Sequence, residues 1–214
     1  MTRRTVTVID YGTGNLYSVQ RAFEVCDASQ VIITSDPQKI VHAERLVLPG
    51  VGAFADGMRG LQSRGLDSAI REFVQTGRPL LGICLGMQLF ASKGLEFGET
   101  DGLNLIAGRV EAIPKLTPSG QALKTPYIGW AALTPPENTT WQNTLLLPLS
   151  PDESIYLVHS YCFKPSQQAN VLASYRYGGY QITAAVQQDN ITGFQFHPEK
   201  SGKVGLRLLK SFLN

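Results

Sequence analysis

The run Pro79-Leu80-Leu81-Gly82-Ile83-Cys84-Leu85-Gly86-Met87-Gln88 restricts the fold more than any other stretch of the chain. Leu80, Leu81 and Ile83 belong to an apolar segment of the kind found in a strand covered on both faces, which implies a sheet with a layer on either side. The segment runs into a cysteine flanked two residues away by Gly82 and Gly86, and a helix-like stretch follows. This is a nucleophile-elbow pattern with cysteine in place of serine. So tight a turn needs small neighbours, because the nucleophile's backbone is strained and the helix packs close behind it. The thiol then stands over a helix N-terminus, where partial positive charge favours thiolate. The same segment also suits an inert, buried cysteine that only fills space. The remaining residues must decide between the two.

Strand and helix signals alternate around this segment. Thr5-Val6-Thr7-Val8-Ile9 leads into Asp10-Tyr11-Gly12-Thr13-Gly14-Asn15, after which Leu16, Val19 and Phe23 recur at helical spacing. Gly12-x-Gly14 fails as a dinucleotide fingerprint: Tyr17 holds the third glycine's place, and no acid ends the strand Val31-Ile32-Ile33-Thr34. It reads instead as a tight turn at a rim. Asp36-Pro37 opens a short helix, with aspartate as N-cap and proline at the first helical position. Arg45-Leu46-Val47-Leu48 is the next strand, closed by Pro49-Gly50-Val51-Gly52-Ala53-Phe54. Two glycines after a strand let backbone N–H groups turn outward, as an anion-stabilising loop requires. One helical region is expected from Met58 to Gln75. The fold class is therefore α/β, a doubly wound, mostly parallel sheet with helices on both faces.

From about Gly94 the rhythm changes. Strands are expected at Ile106–Ile113 and from Tyr127 to Trp130, a loop at Pro135-Pro136-Glu137-Asn138, and a short helix at Thr140–Leu147. Closely spaced strand runs at Ser154–Val158, Val171–Tyr175, Ile182–Val186 and Ile191–Phe196 predict an antiparallel extension of the sheet in the C-terminal half. A last helix, Val204–Leu213, carries Leu206, Leu209 and Leu213. Without repeats or a linker, residues 1–214 read as one domain.

Several function classes drop out on composition. A net charge of +2 is too small to suggest nucleic acid or an anionic membrane surface as partner. No apolar run approaches the ~18 residues of a spanning helix. Thr2-Arg3-Arg4 precedes a short strand pattern, not the apolar core of a signal peptide, so a cytoplasmic location is expected. Cys26, Cys84 and Cys162 are widely spaced and form no CxxC pair, which argues against a disulfide framework and a metal site. Only His42, His159 and His197 are available as bases.

His197 lies in Gly193-Phe194-Gln195-Phe196-His197-Pro198-Glu199-Lys200-Ser201, where Pro198 biases it toward extended geometry. Positions i and i+2 of an extended segment share a side, so Glu199 is placed to hold one ring nitrogen while the other takes a proton. His159, in Leu157-Val158-His159-Ser160-Tyr161, is the rival but has no acid nearby in sequence. His42 is expected to face solvent from its helix.

Together these segments resemble the class I, triad-type glutamine amidotransferases. The resemblance rests on Asp10-Tyr11-Gly12-x-Gly14-Asn15, Pro49-Gly50-Val51-Gly52-Ala53-Phe54, Gly82-Ile83-Cys84-Leu85-Gly86-Met87-Gln88, Val158-His159-Ser160-Tyr161 and Gln195-Phe196-His197-Pro198-Glu199-Lys200-Ser201, in the family's order. The Pro-Gly-Val-Gly form resembles the glutaminase subunits that serve a cyclase of histidine biosynthesis. The resemblance implies Cys84 as nucleophile, His197 as base and Glu199 as its orienting acid. It implies an oxyanion hole of backbone groups at Gly50, Val51, Gly52 and Leu85, and L-glutamine held by Gln88, Glu96, Ser160 and Tyr161. It implies no cofactor and no metal. It also implies a heterodimer with a (β/α)8-barrel cyclase subunit that receives the ammonia, with Tyr11, Asn15, Trp130 and Lys200 toward that interface. Tyr127-Ile128-Gly129-Trp130-Ala131 departs from the family's usual His-Met-Gly-Trp-Asn, and Cys162 stands where a second aromatic is usual. A paralogous subunit serving another synthase, a non-catalytic partner-binding homologue and an esterase-like hydrolase remain alternatives at this level.

Overall fold

The computed structural model describes residues 4–137, 139–150 and 153–214. Thr2 and Arg3 of the basic start, and Asn138 of the expected loop, lie outside the described residues. The N-terminal half alternates as expected: β1 (Thr5–Ile9), α1 (Leu16–Val25), β2 (Gln30–Thr34), α2 (Pro37–Val41) and β3 (Leu46–Leu48). Then come α3 (Phe54–Gln62), α4 (Leu66–Gln75), β4 (Leu80–Ile83) and α5 (Leu85–Gln88). The caps are those the side chains dictate. Asn15 Oδ1 accepts from Ser18 N at 3.2 Å to start α1, and Asp36 Oδ1 accepts from Gln38 N at 2.9 Å to start α2.

The C-terminal half holds β5 (Lys93–Gly94), β6 (Thr100–Asp101), β7 (Gly108–Ala112), β8 (Tyr127–Ala132), β9 (Ser154–His159) and β10 (Tyr161–Pro165). It continues through β11 (Val171–Tyr177), β12 (Tyr180–Gln188), β13 (Ile191–Phe194) and α6 (Gly202–Leu213). The main sheet has seven strands in the order β11-β12-β13-β4-β3-β1-β2. From β2 to β13 every pairing is parallel; β13-β12 and β12-β11 are antiparallel. This is the doubly wound sheet with the predicted antiparallel extension. A second sheet, β10-β7-β5-β6, and the β8-β9 ribbon lie beside it.

Alternation along the central strands divides the core into two. Val6, Val8, Val47 and Leu81 face one cluster with α1 and α6, whereas Ile9, Leu46, Leu48 and Leu80 face the other with α3 and α4. Each such fully buried aliphatic side chain contributes about 1.5–3 kcal/mol. Both faces must be covered for this to pay, which is why the strands carry so few polar residues.

Two local expectations are corrected. The helical region from Met58 to Gln75 is two helices, because the chain turns after Gln62 and Gly65 takes a left-handed φ of 66°. Thr140–Leu147 forms turns instead of a helix: Asn143 sits at φ 60°, and the Trp141 indole N–H is drawn to Leu172 O at 3.0 Å. His42 caps the end of α2 and is exposed, as expected, with Nδ1 2.8 Å from Gln38 O.

Candidate active site

The C-terminal ends of β1, β3, β4 and β13 lie side by side, and a sequence motif follows each one. Crevices beyond the carboxyl ends of parallel strands are where open α/β sheets bind ligands. Cys84 ends β4 with φ 54° and ψ −110°, a strained conformation for a residue with a side chain. Neighbouring strands hold it there, since Cys84 N donates to Phe194 O at 2.7 Å. Behind it Gly86 packs so tightly that a Cβ would overlap the Leu48 carbonyl. The glycines of the elbow are thus a packing requirement.

His197 extends beyond β13 and donates its backbone N–H to Tyr156 O at 3.0 Å. Its Nδ1 lies 2.8 Å from Glu199 Oε1, and both side chains are almost wholly buried. The contact is the expected one but its cause is different: Pro198–Lys200 is a turn of 3-10 helix, which folds the carboxylate back under the ring. Nε2 is buried beside the Cys84 sulfur, with no other hydrogen-bond partner among the described residues. Burial pushes the imidazole pKa down, but the Cys84 sulfur and the Glu199 carboxylate outweigh it and hold it up at about 9.

His159 has the opposite environment. Nδ1 lies 2.8 Å from the Tyr161 carbonyl, which can only accept, so that nitrogen carries the proton. Nε2 therefore accepts from the Tyr175 hydroxyl at 2.9 Å. Burial, only partly countered by the Tyr161 bond, pushes this ring down to about 4. With both nitrogens engaged, His159 is a neutral structural group.

One pocket collects most of the predicted residues: Val51, Gly52, Cys84, Leu85, Gln88, Glu96, Ser160, Tyr161 and His197 line it, with His159. Gln88 Nε2 donates to Tyr161 O at 3.0 Å and to Gln195 Oε1 at 2.9 Å, so it can offer a ligand only its carbonyl oxygen. Glu96 Oε2 accepts from Phe54 N at 2.8 Å, leaving its other oxygen for a cation. The expected oxyanion donor at Leu85 is not free: Leu85 N donates to Gly50 O at 3.3 Å, because the loop after β3 tucks under the start of α5. Gly50 is wedged there, since a Cβ would overlap the Tyr11 hydroxyl.

The four expected interface residues divide. Asn15 and Lys200 are exposed, and Trp130 is half-exposed with its ring 5.8 Å from that of Tyr156. Tyr11 is corrected to a buried position beneath the Gly50 loop. Its residue type was misleading, because a tyrosine in a glycine-rich turn suggests a surface. Two residues that bond to the pocket's lining were missed as individuals. Gln195, fully buried, donates to Cys84 Sγ at 3.7 Å, and Tyr175 fixes His159. Spacing alone could have flagged Gln195, two positions before His197. A separate cleft lined by Lys93, Arg109 and Lys164 holds cations already paired with Glu99 or Glu111.

A strained cysteine, a histidine braced by a carboxylate and an acid in the lining of the same pocket fit a thiol hydrolase for a small amino-bearing substrate. Residues 7–214 match the family described as Glutamine amidotransferase class-I, and the chain belongs to that family. It is 48% identical over 210 residues to the imidazole glycerol phosphate synthase subunit HisH 1 of Legionella pneumophila (strain Lens), with 98% of each chain covered. It is 47% identical over 217 residues to the imidazole glycerol phosphate synthase subunit HisH of Bradyrhizobium diazoefficiens, again with 98% of each covered. In fold it is similar to PurLQS from Thermotoga maritima, with a TM-score of 0.70 at 20% identity over 100% of this chain and 99% of that one.

Proposed function

We propose that this chain is the glutamine-hydrolysing subunit of an imidazole glycerol phosphate synthase, acting in histidine biosynthesis. The observation that carries the reading is the buried His197–Glu199 pair at 2.8 Å beside the strained Cys84. The extent of the likeness to HisH subunits supports the pathway. We read residues 1–214 as one glutaminase domain, in line with a family match over 7–214. A cytoplasmic location goes with this reading.

In the proposed mechanism the Cys84 thiolate attacks the side-chain carboxamide carbon of L-glutamine, forming a C–S bond. The C–N bond then breaks as His197 Nε2 gives its proton to the departing ammonia. Water attacks the resulting thioester, His197 takes the water's proton, and L-glutamate leaves with the thiol restored. Glu199 keeps the ring oriented throughout. Glu96 faces the substrate's α-ammonium, and Gln88 accepts from it through its carbonyl oxygen. Ammonia then passes to a cyclase subunit, a (β/α)8 barrel, across a surface containing Asn15, Trp130 and Lys200.

The Gly50 carbonyl on Leu85 N–H explains why such a subunit would be nearly silent alone. The oxyanion needs that donor, and each such donor is worth about 10²–10³ in rate. Docking of the partner would move the Gly50–Val51 peptide and release it. The test is the Cys84→Ala variant in the assembled synthase. Glutamine-driven product formation should vanish while added ammonium still drives it. Glutamine-driven turnover that survives the substitution would refute the assignment.

A further inference from the structure

Gln195 is fully buried and touches the nucleophile, and none of the roles above requires it. Its backbone N–H donates to Ala184 O at 2.8 Å, which continues the sheet past β13 and aims the side chain inward. The direction of its amide follows from its neighbours. The Tyr161 carbonyl can only accept, so the Gln88 NH2 group must face it, 3.0 Å away. The same NH2 group supplies its second hydrogen to Gln195 Oε1 at 2.9 Å. Gln195 Nε2 is thereby turned to Cys84 Sγ at 3.7 Å. A single line of bonds thus runs from the Tyr161 carbonyl through two amides to the sulfur, and His159 Nδ1 braces its far end on the same carbonyl.

We propose that Gln195 is a hydrogen-bond donor to the Cys84 thiolate that holds the sulfur in its attacking position and links it to the occupancy of the glutamine pocket. A thiol sulfur accepts weakly, while a charged sulfur accepts much more strongly, so the bond gains strength as the nucleophile forms. Gln88 lines the pocket, and its carbonyl oxygen is the open end of the line. A substrate N–H bound there polarises the Gln88 amide and strengthens each bond onward to the sulfur. His197 supplies proton transfer; Gln195 supplies a donor that cannot itself titrate. The inference rests on the glutaminase reading.

The experiment uses Gln195→Glu, which keeps the acceptor for Gln88 and removes the donor to sulfur, and Gln195→Met, which removes both without adding charge. Iodoacetamide labelling of the Cys84 peptide, followed by mass spectrometry, should slow about 10-fold in both variants at about pH 7. In the assembled synthase the glutamine-driven kcat should fall about 10–100-fold, with KM within about threefold and ammonium-driven turnover unchanged. Equal labelling at neutral pH, or loss of folding in both variants by thermal unfolding, overturns the proposal. Failure of the glutaminase reading would show differently, as absent glutamine turnover in the unsubstituted synthase.

Discussion

His159 and His197 are both buried and both border the Cys84 pocket, yet only one has a ring nitrogen left for chemistry. At the end of β9, His159 has a carbonyl on one side and a phenol on the other, and burial holds it neutral with a pKa of about 4. Beyond β13, His197 has a carboxylate on one nitrogen and, among the described residues, only the Cys84 sulfur toward the other. Burial pushes it down too, but the sulfur and carboxylate carry it to about 9. The difference teaches that burial does not make a base. An acidic partner and an unengaged nitrogen do.

The largest expected effect separates the two rings. His197→Asn should lower glutamine-driven turnover in the assembled synthase by about 10³–10⁴-fold, whereas His159→Phe should leave it within about 10-fold. Comparable losses in both would break the distinction. Glu199→Gln removes the orienting charge and should cost about 10²–10³-fold, with the His197 ring titrating at lower pH by NMR. An unchanged ring titration would show that the carboxylate does not act on it. His159→Phe should instead cost about 1–3 kcal/mol of stability in urea unfolding, because the Tyr161 carbonyl and Tyr175 hydroxyl lose their partner.

The smallest effects concern stability against pH, and they have opposite signs. His159 is depressed from 6.5 to about 4, so below about 6.5 the unfolded chain binds a proton that the folded chain resists. Stability should therefore fall as pH drops from 6.5 toward about 4, and His159→Phe should flatten that limb. His197 is raised from 6.5 to about 9, so its contribution is fully present below 6.5 and lost as pH rises through about 9. His197→Asn should flatten the alkaline limb. Urea midpoints across pH read both.

Much of the site was legible because its signals are local. Cys84 between Gly82 and Gly86 needs only a strand, a tight turn and a helix, and the chain folds that way. Pairing His197 with Glu199 needed only neighbours in sequence, although a 3-10 turn, not an extended strand, makes the contact. What was not legible depended on distant partners. Nothing beside Leu85 in sequence says that the Gly50 carbonyl occupies its N–H, and nothing beside Tyr11 says that its side chain turns inward under that loop. The expected helix at Thr140–Leu147 gave way for the same reason, because Trp141 is drawn to Leu172 across the fold.

By itself the sequence determined the alternating layers, the elbow with its cysteine and the acid beside one histidine, since each follows from periodicity or from residues a few positions apart. Only the tertiary structure decided which histidine keeps an open nitrogen, how Gln88 and Gln195 are oriented, and that the Leu85 donor is covered. Those outcomes are hydrogen-bond assignments among groups from different strands. Each buried donor must find an acceptor, and which one it finds is set by sheet order and packing.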